Sequence, residues 1–273
     1  MKTVKRLHEK MGTFENANTS FHQAARCKRY TNEVLAFSMV KEEELLRATE
    51  EIQNLTYRQG EYKIFKVFEP KERLIMALPF YDRVVQHMIC NAIQPVFENG
   101  FYYHSYACRS GKGMHAASDT LYQWMYETEV KQGLRMYAFK GDISKYFASI
   151  PHDKLKDENR RYIGDKKALM LMDDIIDHNG ILPDGVGIPV GNLTSQLFAN
   201  VYGNKLDKFC KHVLHIPYFV RYMDDFIILS DDLEQLKEWV KRIEEFLENE
   251  MLLHINPKST ILYAGNGIDF CGY

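Results

Sequence analysis

The chain is poor in cysteine and pairs none of it. Cys27, Cys90, Cys108, Cys210 and Cys271 are scattered through 273 residues without a CxxC or CxH spacing. An odd count at wide intervals excludes a disulfide framework and a structural zinc site, and it favours a reducing compartment. Long apolar runs are also missing. None approaches the ~18 residues of a membrane span, and MKTVKRLHEKMGTFENANTS has charges but no apolar centre, so it does not read as a secretory leader. The cytoplasm is therefore the expected location, with no membrane partner. Nor is there an excess of positive charge: the formal net charge is -2 and the pI about 6.6. Any nucleic-acid site must then come from locally placed Lys and Arg. No internal repeat or low-complexity segment is visible. With 45% hydrophobic and 26% charged residues, the composition is that of a globular protein.

The pattern of apolar positions gives a mixed set of elements. KEEELLRATEEIQNL (41–55) predicts an amphipathic helix, EYKIFKVFEPKERLIMALPF (61–80) two short strands, and VVQHMICNAIQPVF (84–97) a helix. YACRSGKGMHAAS is a glycine-containing turn before a further helix. RMYAFKGDI (135–143) is an apolar strand ending in a carboxylate, and 165–180 reads as helical. A Gly-Pro-Gly loop feeds a helix over 187–212, two strands fill 217–230, and 232–251 is a helix with acids at its start. NPKSTILYAGNGIDFCGY is expected to close with strands and a turn. The order does not alternate as βαβα, which favours an α+β fold with an antiparallel sheet covered by helices.

FVRYMDDFIILSDD sets two adjacent acids, Asp224 and Asp225, inside an apolar, strand-prone frame. Asp is common in tight turns, so a turn-forming role is the bland alternative. An ordinary surface turn is seldom flanked by Val220, Tyr222, Met223, Phe226, Ile227, Ile228 and Leu229, however. If the strands of RMYAFKGDI and DFIILS are neighbours, Asp142 and Asp224 come side by side at the edge of the sheet. Three carboxylates there need cations, and two Mg²⁺ ions about 4 Å apart suit both the charge and phosphoryl transfer.

YMDD at 222–225 resembles the YxDD motif of reverse transcriptases, and the family's other blocks follow in order. RLIMALPFYDRVVQ, YACRSGKGMHAA, YAFKGDISKYFASIPHDKL, GIPVGNLTSQLFANVY, NPKSTIL and GIDFCGY each resemble one of them. The resemblance implies an RNA-directed DNA polymerase with right-hand fingers and palm. An N-terminal extension and the fingers would cover 1–134 and the palm 135–273, with a fingers-associated helical stretch near 155–185. Gly272-Tyr273 stands where the family runs on into a helical thumb, so the thumb is expected to be absent or truncated.

It also implies roles. Asp142, Asp224 and Asp225 would be the catalytic acids and metal ligands, joined by the carbonyl of Ile143. Mg²⁺ would be the metal, with Mn²⁺ a substitute: one ion lowers the pKa of the attacking hydroxyl and the other stabilises the leaving pyrophosphate. Phe147 would gate the sugar 2′ position, against its commoner use as a core aromatic. Lys71 and Arg73 would hold the triphosphate, and Lys258 would lie near the pyrophosphate unless it is a solvated loop lysine. Val190, Gly191 and Gln196 would line the nucleotide. Arg109 and Lys112, beside glycines that allow close approach, would contact the template backbone, with Tyr222 and Met223 also on the nucleic acid.

Val190-Gly191 followed by Ser195-Gln196 resembles the diversity-generating retroelement group, bacterial or phage-encoded. Those enzymes copy a template RNA from a DNA or RNA primer with dNTPs, err at adenines, and work with a small basic accessory protein. That partner would fit a weakly basic enzyme. Other bacterial reverse transcriptases, of phage-defence or group II intron type, a silent RNA-binding scaffold on the same fold, and a metal nuclease are the alternatives.

Overall fold

The computed structural model describes residues 3–68 and 72–271. Lys71, Gly272 and Tyr273 lie outside the described residues, as does the side chain of Arg73. The chain divides into two compact units, Met1–Gly100 with Pro151–Phe198 and Phe101–Ile150 with Ala199–Tyr273. Residues 101–134 thus cluster with the acid-bearing strands, and 151–198 with the amino-terminal helices.

Among the described residues the strands in chain order are β1 (Lys63–Val67), β2 (Arg73–Ala77), β3 (Tyr137–Asp142), β4 (Tyr218–Tyr222), β5 (Asp225–Ser230) and β6 (Thr260–Tyr263). Among the described residues, the strands of the first unit form one antiparallel hairpin, β1–β2, and its other named elements are helices. Its central helix, Phe80–Glu98, buries Val84, Val85, Met88, Ile89, Ile93 and Phe97 at helical spacing. Helices Phe14–Ala24, Asn32–Met39 and Lys41–Gln53 lie nearby, and Phe21, Phe37 and Phe80, from the first, the second and the central helix, form an aromatic cluster. Helix Lys166–Asp177 starts where Asp165 accepts hydrogen bonds from the N–H groups of Lys167 and Ala168, an N-cap built into the sequence.

The second unit is built on an antiparallel sheet of order β4-β5-β3-β6. Strand alternation sends Ala138, Val220, Ile227 and Leu229 to one face, where they pack with Tyr106, Ala117, Leu121 and Phe270. On the other face, the Phe226 ring packs edge-on to Phe139 and tilted against Phe219. Both faces of β5 are buried, which explains why its sequence is a continuous apolar run rather than an alternating one. Helix Leu233–Phe246 follows, capped by Asp232, whose carboxylate accepts from the N–H groups of Glu234 and Gln235. Asp231 and Asp232 therefore belong to the helix start.

One expected element is absent among the described residues. After β6 the chain makes a short turn at Ala264–Asn266 and no second strand. GIDFC is held by its side chains instead: Phe270 is buried in the cluster with Met136 and Val220.

Candidate active site

The acids lie at the ends of the two central strands, not at the sheet's edge as the sequence suggested. The β3–β5 ladder places Asp142 directly opposite Asp225. Asp224 is one residue away, in the turn, so the cross-strand partner of Asp142 is Asp225 rather than Asp224. The ladder continues past β3 through Ile143, whose N–H donates to the Asp224 carbonyl at 3.2 Å. Directly opposed residues of an antiparallel pair share a face, and like charges there repel.

Several local features set Asp142 in place. Gly141 has no side chain because the Phe226 ring lies over it: a Cβ there would come within 2.7 Å of both ring edges. The Asp142 N–H donates to Ser259 Oγ at 3.0 Å, and its carbonyl accepts from the Asn256 N–H at 2.7 Å. Asn256 Nδ2 donates to the Asp142 carboxylate at 2.6 Å. NPKS is thus a clamp around Asp142, made by the loop before β6. Sequence pattern singled out only Lys258 in this loop. The signal it missed is the Asn-Pro pair, a turn former whose amide also has a donor to offer. Lys258 is exposed, and its backbone N–H donates to Asn256 Oδ1.

The carboxylates, with hard oxygen donors only, are the donor set that Mg²⁺ or Mn²⁺ takes. Among the described residues, however, no three His, Cys, Asp or Glu side chains form a preassembled metal cluster. Phe147 is half-buried, edge-on to Tyr146 with ring centroids 5.9 Å apart, so it is not a plain core residue.

The turn at Tyr222–Asp225 rests on a group that sequence pattern left unmarked. Arg221 points to the opposite face from Asp225 and is fully buried, as is Asp207 on helix Leu193–Lys208. Its Nε and Nη2 donate to the two Asp207 oxygens at 2.6 and 2.7 Å. Nη2 also reaches Ser105 Oγ at 3.1 Å, and Nη1 donates to the Met223 carbonyl at 2.8 Å. Burial opposes the Arg221 charge, but the charge of Asp207 and its hydrogen bonds outweigh this and hold the guanidinium above its ordinary pKa. An arginine inside FVRYMDD, an apolar strand, is the signal that could have found it.

Arg109 and Lys112 are engaged within their own loop. Arg109 donates to the carbonyls of Tyr102 and Ser105, both at 2.7 Å. Lys112 donates to the Tyr103 carbonyl and stands 3.5 Å from the centre of that ring.

In the first unit, the loop carrying Val190 and Gly191 is tied at both ends. The Val190 carbonyl accepts from the Met76 N–H on β2 at 3.1 Å, and His152 Nε2 lies 2.8 Å from the Gly187 carbonyl. Gly191 takes φ 116 beside Ile75, a conformation that favours glycine. Asn192 donates to the Tyr62 hydroxyl, whose own pKa burial pushes up to about 12. The Gln196 N–H donates to the Asn192 carbonyl, an ordinary first-turn helix bond.

An antiparallel sheet packed on helices, with acids at a central hairpin and a neighbouring strand end, is the palm of a template-directed polymerase. Residues 66–273 match the model of the family "Reverse transcriptase (RNA-dependent DNA polymerase)", and the chain belongs to that family. It is 25% identical over 238 residues to Protein YkfC of Escherichia coli K12, covering 70% of this chain and 60% of that one. It is 29% identical over 137 residues to an uncharacterized 91 kDa protein in the cob intron of Schizosaccharomyces pombe, covering 48% of this chain and 16% of the other. Among solved structures it is similar to telomerase from Candida albicans in complex with a TWJ fragment of telomeric RNA. There the TM-score is 0.56 at 10% identity, over 80% of this chain and 45% of that one. The fold is that of the family's fingers and palm.

Proposed function

We propose that this chain carries the catalytic part of an RNA-directed DNA polymerase that extends a primer with dNTPs along a template RNA. The observation that carries the reading is the pairing of Asp142 with Asp225 across β3 and β5, next to the Tyr222–Asp225 turn. Asp142, Asp224 and Asp225 would hold divalent metal, which when bound activates the attacking hydroxyl and neutralises charge on the transferring phosphate. The chain's own part is to fix the carboxylates: Asn256 and Ser259 hold Asp142, Ile143 holds the Asp224 peptide, and Gly141 lets β3 lie flat beneath Phe226. Phe147, half-exposed beside Tyr146, is the group to reject a 2′-hydroxyl by its bulk. Primer extension on an RNA template with Mg²⁺ tests the reading against Asp224→Asn. Equal extension by the two proteins refutes it.

Within this class, the reading we favour is the diversity-generating type, error-prone at template adenines and assisted by a small basic protein. It rests on Val190. A glutamine there would add a donor and acceptor near the base pair, and a site hydrogen bond contributes about 1 kcal/mol of discrimination. Val190 has neither, and its own tie to β2 is a backbone one, its carbonyl accepting from the Met76 N–H. Val190→Gln should therefore fold and should lower misincorporation opposite adenine several-fold. An unchanged adenine error rate removes Val190 from the account. The intron-type reading is supported by the likeness to the cob intron protein. A flat error spectrum across all four template bases would favour it.

A further inference from the structure

We infer that Arg221 is the positioning residue of the catalytic turn and that the buried Asp207–Arg221 pair exists to aim it. The inference rests on the reading of Asp224 as a catalytic acid. Met223 stands at φ 59, in the left-handed region that L side chains rarely adopt. Both peptide groups that flank Asp224 are tied. The carbonyl before it, of Met223, accepts from Arg221 Nη1 at 2.8 Å, and its own carbonyl accepts from the Ile143 N–H at 3.2 Å. Asp224 therefore hangs between two anchored peptide planes. Releasing the first allows the Met223–Asp224 peptide to rotate and swing the carboxylate.

The guanidinium is planar, so two of its nitrogens locked on Asp207 direct the third at the Met223 carbonyl. Arg221 lies on the sheet face opposite Asp225 and is fully buried, so it acts on the turn from beneath and touches no substrate. Its strand is tied as well: the Arg221 N–H donates to the His104 carbonyl at 3.0 Å, and its carbonyl accepts from the Tyr106 N–H at 2.9 Å. Gly203, on the helix that carries Asp207, makes the room. A Cβ there would sit 2.6 Å from Arg221 Nη1, the nitrogen that holds Met223, and 2.9 Å from the Tyr146 hydroxyl. A buried ion pair is a poor source of stability, because desolvation offsets the attraction. Fixing one geometry for the turn is a better reason for this one.

Two variants separate positioning from folding. Arg221→Lys keeps the charge against Asp207 but has no fork to reach Met223. Gly203→Ala keeps both charges and crowds the guanidinium from its Nη1 side, with Nη1 at 2.6 Å, Cζ at 2.8 Å and the Tyr146 hydroxyl at 2.9 Å from the added methyl. For each, together with Asp224→Asn and the wild type, four quantities are measured: the melting curve, kcat and KM for dNTP in primer extension, and Mn²⁺ binding by electron paramagnetic resonance. The expected result is a cooperative melt, a KM within about twofold, a kcat lower by roughly 100-fold, and weaker Mn²⁺ binding. Should Arg221→Lys fail to fold, Gly203→Ala decides. Wild-type kcat and Mn²⁺ binding in a folded variant, with Asp224→Asn inactive, overturns the role of Arg221 and leaves the catalytic reading standing. An active Asp224→Asn overturns the catalytic reading itself.

Discussion

Asp142 and Asp225 face each other across the centre of the sheet, two like charges in direct register. Such opposition costs folding free energy when no cation lies between them. The arrangement suits a site whose charge is balanced by something bound, and it makes function and stability pull in opposite directions. Asp142→Asn relieves that opposition but also weakens the Asn256 bond to the carboxylate, so its stability in chelator should stay within about 1 kcal/mol of wild type. It should lower primer extension by roughly 10³-fold. Thermal melts in EDTA beside an extension assay check both, and a variant that extends primers normally defeats the assignment.

Gly141 precedes the acid because Phe226 occupies the space above it. Gly141→Ala forces either the ring or β3 to move, at about 1–3 kcal/mol as for other overpacked sites. Adding Phe226→Leu should recover part of the loss, because the smaller side chain vacates the contact. Denaturant midpoints of the single and double variants test this. Strictly additive losses would show that the two positions are not coupled.

Asn256 holds the Asp142 carboxylate from a loop far along the chain. Asn256→Ala removes a hydrogen bond to a charged group, worth about 1.5–3 kcal/mol. Part of that should appear in the barrier, lowering kcat by about tenfold. Asn256→Asp should do worse, because it adds a fourth carboxylate beside Asp142, Asp224 and Asp225. Single-turnover extension rates rank the variants, and an Asn256→Asp rate equal to wild type excludes the clamp.

His104 gives the second unit an acid-sensitive point. Burial, with Lys112 and Lys211 nearby, lowers its pKa from 6.5 to about 4. The unfolded chain takes up this proton below pH 6.5, whereas the folded chain resists until about pH 4. More protons on the unfolded state means that stability falls as pH drops through this window and is fully present above it. His104→Gln should melt with a flatter pH dependence between those limits. Parallel slopes for variant and wild type would remove His104 as the cause.

Much of the fold and site is legible along the chain. The elements from Lys41–Gln53 to Leu233–Phe246 follow the apolar spacing, and the Asp165 and Asp232 caps sit where short polar side chains precede helical patterns. The family blocks mark Asp142, Asp224 and Asp225, because the neighbours of these acids in sequence carry the signal. The strand expected after β6 does not form: GIDFC alternates like a strand, yet Phe270 anchors it by packing rather than by a ladder.

Sequence alone determined most of the strands and helices from Lys41 onward and pointed to the three acids, since period and local composition act over a few residues. Tertiary structure decided which acid faces Asp142, which loop grips it, and what lies beneath the turn. Register, the Asn256 clamp and the Asp207–Arg221 pair join residues distant in the chain. No local preference encodes them. They arise only when the folded core brings those groups to hydrogen-bonding distance and excludes the water that would otherwise satisfy them.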